Sequence, residues 1–316
     1  MPELISVIIP TYRRLEMLRE AIQSVKAQDY PNIEIIVVDD HSGDGTSTIA
    51  NEFSDISFYE NSTNQGPGFS RKFGFSRCHG DYVVFLDDDD YYIDNSFFSK
   101  AVKHFLEEEY LFVAANAVVL DLETGVKTDS KLNVSGKMDS KEYLKGFPNK
   151  FYKPHSTFTT VFRKKSLDEA GLLKMNMVND MVIYMRSMII EGNVYFMADT
   201  IGVYRQHPTN ISKRVGGKFI IENLQEKLAV YKRIVDNKWF DSADQWWLEQ
   251  VKITVSYYVY GSHPALTDYS KVRKWCIENS SDKASVEALF RQYTEFLIDD
   301  RICAFKRKIK KILGLK

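Results

Sequence analysis

Residues 80–90 have the sequence GDYVVFLDDDD, a short apolar run that ends in four consecutive aspartates. Residues 82–86 have the β-branched and aromatic content of a buried strand, so Asp87–Asp90 follow directly where that strand ends. Adjacent carboxylates repel one another, and a bound cation relieves that repulsion. Because hard oxygen ligands select hard ions, the run predicts a Mg²⁺ or Mn²⁺ site. The alternative is a solvated acidic turn.

Three similar apolar runs precede this one, at residues 5–9, 33–38 and 56–59. The stretches between them have helical spacing, most clearly at residues 15–25. Alternating strands and helices with continuous apolar strands predict a mainly parallel, Rossmann-like sheet covered by helices on both faces. Ligands of such sheets bind at the carboxyl ends of the strands.

The loop after the first run contains Pro10, Tyr12 and Arg14. It has neither the GxGxxG pattern of dinucleotide-binding enzymes nor a P-loop. An aromatic ring suited to base stacking and basic side chains suited to phosphate remain. A tyrosine on an ordinary surface loop is the alternative interpretation.

The next two loops carry polar groups of other kinds. Asp40 follows the second run, and its carboxylate could accept hydrogen bonds from a base edge or a ribose, whereas Ser42 or Asp44 could simply cap a helix. Residues 64–72, NQGPGFSRK, combine glycines with the cations of Arg71 and Lys72 at the start of a helix, which suits a pyrophosphate.

The rest of the chain is less regular up to residue 216 and helical after it. The predicted elements are a helix at 95–108, a strand at 111–120, a polar mobile loop at 127–150, a strand at 157–162, a helix at 179–190 and a strand at 200–204. We therefore predict one α/β domain at 1–216, with a nucleotide-binding half at 1–95 and an acceptor-side half at 96–216. A helical region follows at 217–316.

Taken together, four stretches resemble the family 2 glycosyltransferases in order and spacing. They are SVIIPTYRR (6–14), IIVVDDHSGDGT (35–46), NQGPGFSRKFG (64–74) and GDYVVFLDDDD (80–90). The resemblance is tight over residues 4–95 and looser to about residue 212. It implies a GT-A fold, here with a C-terminal helical appendage.

The resemblance also implies roles on the donor side. Tyr12 would stack near the nucleobase, Asp40 would bond its imide edge, and Arg71 would approach the donor phosphates. Asp87 would lie near the ribose and Asp89 would ligate the metal. The residues implied in donor binding are Pro10, Tyr12, Arg14, Asp40, Arg71, Asp87 and Asp88.

Further roles are implied downstream. The family has a Glu-Asp pair at a helix start, and here Asn179 replaces the Glu while Asp180 keeps the place of the catalytic base. Residues 204–207 resemble the family's strand-end Tyr-Arg-x-His, which implies His207 as a further metal ligand and Arg205 near the diphosphate. The acceptor pocket would draw on residues 127–180, including His155.

The resemblance implies an inverting, metal-dependent glycosyltransferase, of hexosyltransferase type, that moves a sugar from a nucleotide-sugar to an acceptor hydroxyl. A UDP-sugar is favoured over a GDP-sugar, with a glycan or lipid-linked acceptor in cell-surface glycan or polysaccharide biosynthesis. A sugar nucleotidyltransferase would need a glycine-rich basic loop after its first strand, which this chain lacks. An inactive nucleotide-sugar-binding module would lose the acidic run or Asp180, and both are intact.

Composition restricts the setting. The net charge of −1 argues against nucleic-acid binding, and three dispersed cysteines fit a reducing compartment. With no signal-like or membrane-spanning run, a cytoplasmic protein is expected. Residues 301–316 contain seven Lys and Arg and no acid on an amphipathic pattern, which predicts contact with the inner membrane surface. A solvated helix is the alternative.

Overall fold

A computed structural model of the protein describes residues 2–130, 132–207 and 215–312. The chain divides into two compact units, Met1–His207 and Pro208–Lys316. All described strands lie in the first unit, and the described part of the second unit is helical.

Strands and helices alternate along the first unit. The strands are β1 (Ile5–Thr11), β2 (Ile33–Asp39), β3 (Ser57–Glu60), β4 (Tyr82–Phe85), β5 (Tyr91–Tyr92), β6 (Tyr110–Asp121), β7 (Lys127–Asp129), β8 (Gly136–Asp139), β9 (Thr160–Arg163) and β10 (Asn193–Gln206). The helices are α1 (Leu15–Lys26), α2 (Ile49–Glu52), α3 (Pro67–Arg77), α4 (Phe97–Glu107), α5 (Ser140–Gly146), α6 (Lys164–Glu169) and α7 (Asp180–Ser187).

One mixed sheet contains all of these strands, in the order β3-β2-β1-β4-β9-β6-β10-β5, with β7 added beside β6 and β8 beside β10. The first four strands are parallel neighbours, and β9 is antiparallel to β4 and β6. The chain winds from β1 through β2 to β3, then places β4 on the other side of β1. Strand order reverses at that point, which creates a crevice at the carboxyl ends of β1 and β4.

Both faces of β1 are buried, which explains its continuous apolar sequence. Alternate residues point to opposite faces. Val7 and Ile9 belong to the same buried cluster as Leu18 and Ile22 of α1. Ile8 lies on the other face, against α3.

The approach of α3 to β1 requires a glycine. A Cβ on Gly74 would lie 2.4 Å from Cγ2 of Ile8 and 3.4 Å from Cγ2 of Val38. Both of those side chains are buried in the sheet and have little room to move. The close packing fixes the position of α3 relative to the sheet, and with it the position of Arg71 near the start of that helix.

The prediction of a mobile loop at residues 127–150 is wrong. This stretch contains β7, β8 and α5, and Asp139 caps α5 by accepting hydrogen bonds from the backbone N–H groups of Lys141 and Glu142. β8 pairs antiparallel with the start of β10, which begins at Asn193 and is far longer than the predicted strand at 200–204. Register shifts in β10 after Phe196 interrupt its alternation, which hid its first half in the sequence.

Helices also form the described part of the second unit, as the sequence predicts. They are α8 (Gly217–Asp236), α9 (Ala243–Ser262), α10 (Leu266–Glu278) and α11 (Lys283–Ile312). Their core includes Leu224, Trp247, Val255 and Phe290. Across the described residues, no helix has the length and apolar character that crossing a bilayer requires.

We expect Gly74→Ala to lower the free energy of unfolding by about 1–3 kcal/mol, since overpacking forces buried neighbours to move. Gly261→Ala is the matched control, because Gly261 also lies in a helix and a Cβ there meets nothing within 4 Å. That variant should gain up to ~1 kcal/mol from helix propensity. Urea denaturation followed by far-ultraviolet circular dichroism measures both, and equal effects would contradict the packing argument.

Candidate active site

The loops after β1 and β2 are bonded to each other at the edge of the sheet. Arg13 has a left-handed backbone (φ 56°), and its N–H donates to Oγ of Ser42 at 2.8 Å while its Nε donates to the Ser42 carbonyl at 3.0 Å. The Tyr12 ring is 39% exposed, with the Arg13 guanidinium 5.0 Å from its centre. Pro10, predicted on the donor side, is buried within β1 beside Val38. The exposed face of Tyr12 is therefore available for stacking.

Asp40 organises the loop that precedes α3. Its Oδ1 accepts hydrogen bonds from Nδ2 of Asn61 (2.8 Å) and the N–H of Gln65 (2.9 Å), and its Oδ2 accepts one from the N–H of Gly66 (2.7 Å). The side chain is buried. The predicted contact with a nucleobase would therefore have to use a lone pair that these bonds leave free.

Asp88 joins the end of β4 to the loop after β1. Its Oδ2 accepts hydrogen bonds from Oγ1 of Thr11 at 2.7 Å and the N–H of Tyr12 at 3.3 Å. Its Oδ1 pairs with Nη1 of Arg14 at 2.9 Å. These contacts hold together the two loops that border the crevice, at the point where the strand order reverses.

Asp89 pairs with two basic side chains. Its Oδ2 lies 2.8 Å from Nη1 of Arg14 and 2.9 Å from Nε2 of His207. His207 is buried and directly follows β10. Asp89 and His207, the two predicted metal ligands, are thus brought together from positions 118 residues apart.

Asp90 is fully buried, and one of its oxygens accepts a hydrogen bond from the N–H of Arg205 at 3.0 Å. Its Oδ2 has no hydrogen-bond partner among the described residues. Asp87, Asp89 and Asp90 each offer an oxygen, and these oxygens lie within 4.8 Å of one another. The sequence favoured Asp87 and Asp89 over their neighbours, whereas the geometry adds Asp90 to them.

The Arg205 side chain packs directly against this cluster. Nε donates to the carbonyl of Asp89, Nη1 pairs with Glu20 at 2.6 Å, and the guanidinium lies 4.8 Å from the centre of the Tyr91 ring. Nη2 is buried without a hydrogen-bond partner among the described residues. Arg205 therefore places positive charge directly behind the acidic run.

Burial shifts three acids of the run, Asp87, Asp88 and Asp90, towards their neutral forms. It raises the pKa of Asp87 to about 6 against the opposing charge of Arg71, and the pKa of Asp88 to about 6 against Arg14. Burial, followed by the charge of Asp89, raises the pKa of Asp90 well above its usual value. A cation bound among these oxygens would favour the ionised forms instead.

Arg71 connects the acidic run to α7. Its Nη2 lies 2.5 Å from Oδ1 of Asp87 and 3.5 Å from Oδ1 of Asp180, and its Nη1 donates to the carbonyl of Val178 at 3.3 Å. Burial would lower the pKa of Arg71, but Asp87 and Asp180 hold it above the usual value. The guanidinium is therefore charged and bridges two carboxylates that are distant in sequence.

Asp180 is the first residue of α7, and Asn179 caps that helix. The Asn179 side-chain oxygen accepts the N–H of Val182 at 3.0 Å. Asparagine is among the best N-cap residues, and a carboxylate in the first turn interacts favourably with the helix dipole. The cap thus fixes the backbone of Asp180, from which its side chain extends.

Two further side chains lie near Asp180. Nζ of Lys153 is 3.8 Å from its Oδ2. His155 packs edge-on against Tyr204, with ring centres 4.4 Å apart, and burial followed by the charge of Lys153 lowers the pKa of His155 to about 4. His155 is therefore uncharged at neutral pH.

The family model for glycosyl transferase family 2 matches residues 6–190, which is more than half of the chain. The chain belongs to glycosyltransferase family 2. An uncharacterised glycosyltransferase of Haemophilus influenzae is 28% identical over 229 residues, which cover 64% of this chain and 91% of that protein.

Two functionally described relatives match a shorter part of this family 2 chain. A GalNAc(5)-diNAcBac-PP-undecaprenol β-1,3-glucosyltransferase of Campylobacter jejuni is 35% identical over 38% of this chain and 39% of that enzyme. A UDP-Glc:α-D-GlcNAc-diphosphoundecaprenol β-1,3-glucosyltransferase of Escherichia coli is 35% identical over 35% of this chain and 44% of that enzyme.

Solved structures of S. aureus TarS (residues 1–349) share the fold of this family 2 glycosyltransferase. The structure without a named ligand has a TM-score of 0.66 at 18% identity, covering 90% of this chain and 83% of that one. The complex with UDP-GlcNAc has a TM-score of 0.68 over the same shares. The GT-A fold implied by the sequence is confirmed.

The geometry of the acidic cluster fits a divalent cation. Asp87, Asp89 and Asp90 converge, and the unpartnered Oδ2 of Asp90 is a buried oxygen that a cation would satisfy. An all-carboxylate set with one imidazole nearby suits Mg²⁺ or Mn²⁺.

Sequence reasoning did not single out Lys153 or Asp90 at this candidate site. Lys153 lies in a polar stretch with other lysines, and nothing in its spacing links it to Asp180. Asp90 differs from its acidic neighbours only in the direction that the backbone turn gives its side chain.

We expect Mn²⁺ to bind this cluster at least tenfold more weakly at pH 5 than at pH 7. A carboxyl group with a pKa of about 6, as for Asp87, is roughly one-tenth ionised at pH 5, and the cation requires the ionised form. Electron paramagnetic resonance of free Mn²⁺ measures the affinity.

Asp89→Asn should weaken Mn²⁺ binding at both pH values. Asp55→Asn, which alters an exposed acid paired with Lys26, should bind Mn²⁺ as the unaltered protein does. Equal affinities at pH 5 and pH 7 would contradict the assignment of the cluster.

Proposed function

We propose that this family 2 glycosyltransferase is an inverting, metal-dependent enzyme that transfers a sugar from a UDP-sugar to an acceptor hydroxyl. The observation that carries the proposal is the Arg71 guanidinium, which lies between Asp87 of the acidic cluster and Asp180 at the start of α7. This arrangement suits a cation-bound diphosphate on one side and a general base on the other.

The donor would occupy the crevice at the ends of β1 and β4. The exposed Tyr12 ring would stack on the nucleobase, with Pro10 and Asp40 shaping its pocket, and Arg14 would face the phosphates beside Asp88. The TarS complex with UDP-GlcNAc, which shares the fold, supports uridine as the base.

Mg²⁺ or Mn²⁺ would be held by Asp89 with Asp87 and Asp90, and His207 would be released from its contact with Asp89 to face the cation or the diphosphate. When bound, the cation neutralises charge that develops on the departing nucleoside diphosphate. Arg205, behind the cluster, adds positive charge on the same side.

Asp180 would act as the general base. The acceptor oxygen forms its bond to the anomeric carbon, and the bond from that carbon to the diphosphate breaks with its electrons leaving on the phosphate. The acceptor proton passes to the Asp180 carboxylate. A single displacement inverts the configuration, so an α-linked donor gives a β-linked product.

The acceptor would lie on the side of α7, against His155, Tyr204 and Asn179. A neutral His155 and a tyrosine hydroxyl suit a sugar acceptor, since both can exchange hydrogen bonds with hydroxyl groups. Glycan or lipid-linked acceptors in cell-surface glycan synthesis are proposed because the two matched glucosyltransferases are named for undecaprenol-linked substrates.

The proposal is tested by the release of nucleoside diphosphate from a panel of UDP- and GDP-sugars, with Mn²⁺ or Mg²⁺ and candidate lipid-linked oligosaccharides. Metal-dependent UDP release with a β-linked product, identified by nuclear magnetic resonance, is expected. An α-linked product from an α-linked donor, or full activity in the presence of a chelator, would overturn the mechanism.

We predict that Asp180→Asn lowers the transfer rate by ~10²–10⁴-fold, the usual value of general-base assistance. UDP binding in the presence of Mn²⁺, measured by calorimetry, should remain nearly unchanged. Asp168→Asn is the control, since Asp168 pairs with Lys164 on the surface of α6. Equal losses of UDP binding and of transfer in Asp180→Asn would contradict the assignment of Asp180 as the general base.

We further propose a cytoplasmic enzyme that contacts the inner membrane surface through residues 301–316. The basic side chains of this predicted stripe, from Arg301 to Lys316, lie outside the described side chains. Each cation near anionic lipid contributes roughly 1 kcal/mol.

Deleting residues 301–316 should abolish sedimentation with anionic liposomes at low salt, while neutral liposomes should bind neither form. Retained sedimentation of the truncated protein would contradict membrane contact through the tail.

A further inference from the structure

The two oxygens of the Asp180 carboxylate face two different cations. Nη2 of Arg71 lies 3.5 Å from Oδ1, and Nζ of Lys153 lies 3.8 Å from Oδ2. Arg71 is already committed to Asp87 at 2.5 Å. Lys153 has no other carboxylate within ion-pair distance among the described residues, so its charge is directed at Asp180.

Lys153 is itself held firmly. Its ammonium donates hydrogen bonds to the carbonyls of Pro154 (2.6 Å) and His155 (2.8 Å), which leaves one of its three protons for Asp180. It also lies 5.5 Å from the centre of the Tyr184 ring on α7. The Tyr184 hydroxyl is hydrogen-bonded to the Thr160 hydroxyl at 2.5 Å, so the ring that the Lys153 ammonium contacts is held in place.

The distances of both cations leave the carboxylate able to work as a base. Hydrogen bonds between charged groups are typically about 2.7–2.9 Å long, which is shorter than either contact here. Arg71 and Lys153 therefore orient the carboxylate without occupying the lone pair that must accept a proton. A general base needs that combination of fixed direction and free lone pair.

We propose that Lys153 is a positioning residue that sets the orientation of Asp180 for proton removal from the acceptor. This inference rests on the proposed function, in which Asp180 is the base. Lys153 acts through Asp180, and Arg71 holds the other oxygen. Burial lowers the pKa of Lys153, and the negative charge of Asp180 opposes that effect.

The test begins with Lys153→Met, which keeps much of the side-chain volume and removes the charge. The rate at saturating donor and acceptor should fall ~10²-fold, the loss that a misplacement of about 1 Å causes. The dissociation constant of UDP with Mn²⁺, measured by calorimetry, should change less than twofold. Lys165→Met, at an exposed lysine on α6, should match the unaltered protein in both measurements.

Restoring the ammonium separates a charge effect from a folding defect. Lys153→Cys treated with 2-bromoethylamine carries a near-isosteric ammonium at position 153, and mass spectrometry verifies its complete modification. Most of the lost rate should return. The unaltered protein treated in the same way controls for modification of the exposed Cys303.

Two results would overturn the role of Lys153: an undiminished rate in Lys153→Met, or no recovery after complete aminoethylation. A loss of UDP affinity as large as the loss of rate would also overturn it, because Lys153 would then act on the donor. Failure of the proposed function looks different. In that case the unaltered protein itself transfers no sugar, or Asp180→Asn transfers normally.

Discussion

The constraint on which the rest of the site depends is the run of four adjacent carboxylates at the end of β4, in which Asp88, Asp89 and Asp90 are buried and Asp87 is partly buried. Unpaired buried charges cost several kcal/mol each, so a fold that buries them must bring cations to them. Arg14 pairs with Asp88 and Asp89 from the loop after β1, and Arg71 pairs with Asp87 from α3. The loops of the crevice are therefore held by the charges that they neutralise.

The same pairing joins the acidic run to α3 and α7. Arg71 contacts both Asp87 and Asp180, so the group that neutralises the acidic run also orients the proposed base. The Gly74 contact with Ile8 fixes the helix that carries Arg71. A change in the packing of α3 on β1 would consequently be felt at both ends of the site, although neither end touches that contact.

The sequence predicts the first ninety residues well because strand, loop and helix signals there are local. The predicted apolar runs of this region correspond closely to β1, β2, β3 and β4, and the predicted loops and the acidic run follow those strands in order. The region from 127 to 155 could not be predicted in the same way, since β8 pairs with β10 across more than fifty residues and Lys153 meets Asp180 only after α7 is placed. Those contacts depend on the fold and leave no periodic signal.

Asn179 stands where the family pattern has Glu, so one negative charge is absent beside Asp180, the proposed base. The family pattern implied a Glu at this position, whereas Asn179 caps α7 by accepting the N–H of Val182, a task that suits asparagine far better than glutamate. With that carboxylate absent, Asp180 is the acid on which Lys153 and Arg71 converge. A second acid beside it would compete for those two cations and loosen the orientation of the proposed base. The neutral cap and the lysine therefore form one arrangement, in which a single carboxylate is fixed by the helix start and by a cation at each oxygen.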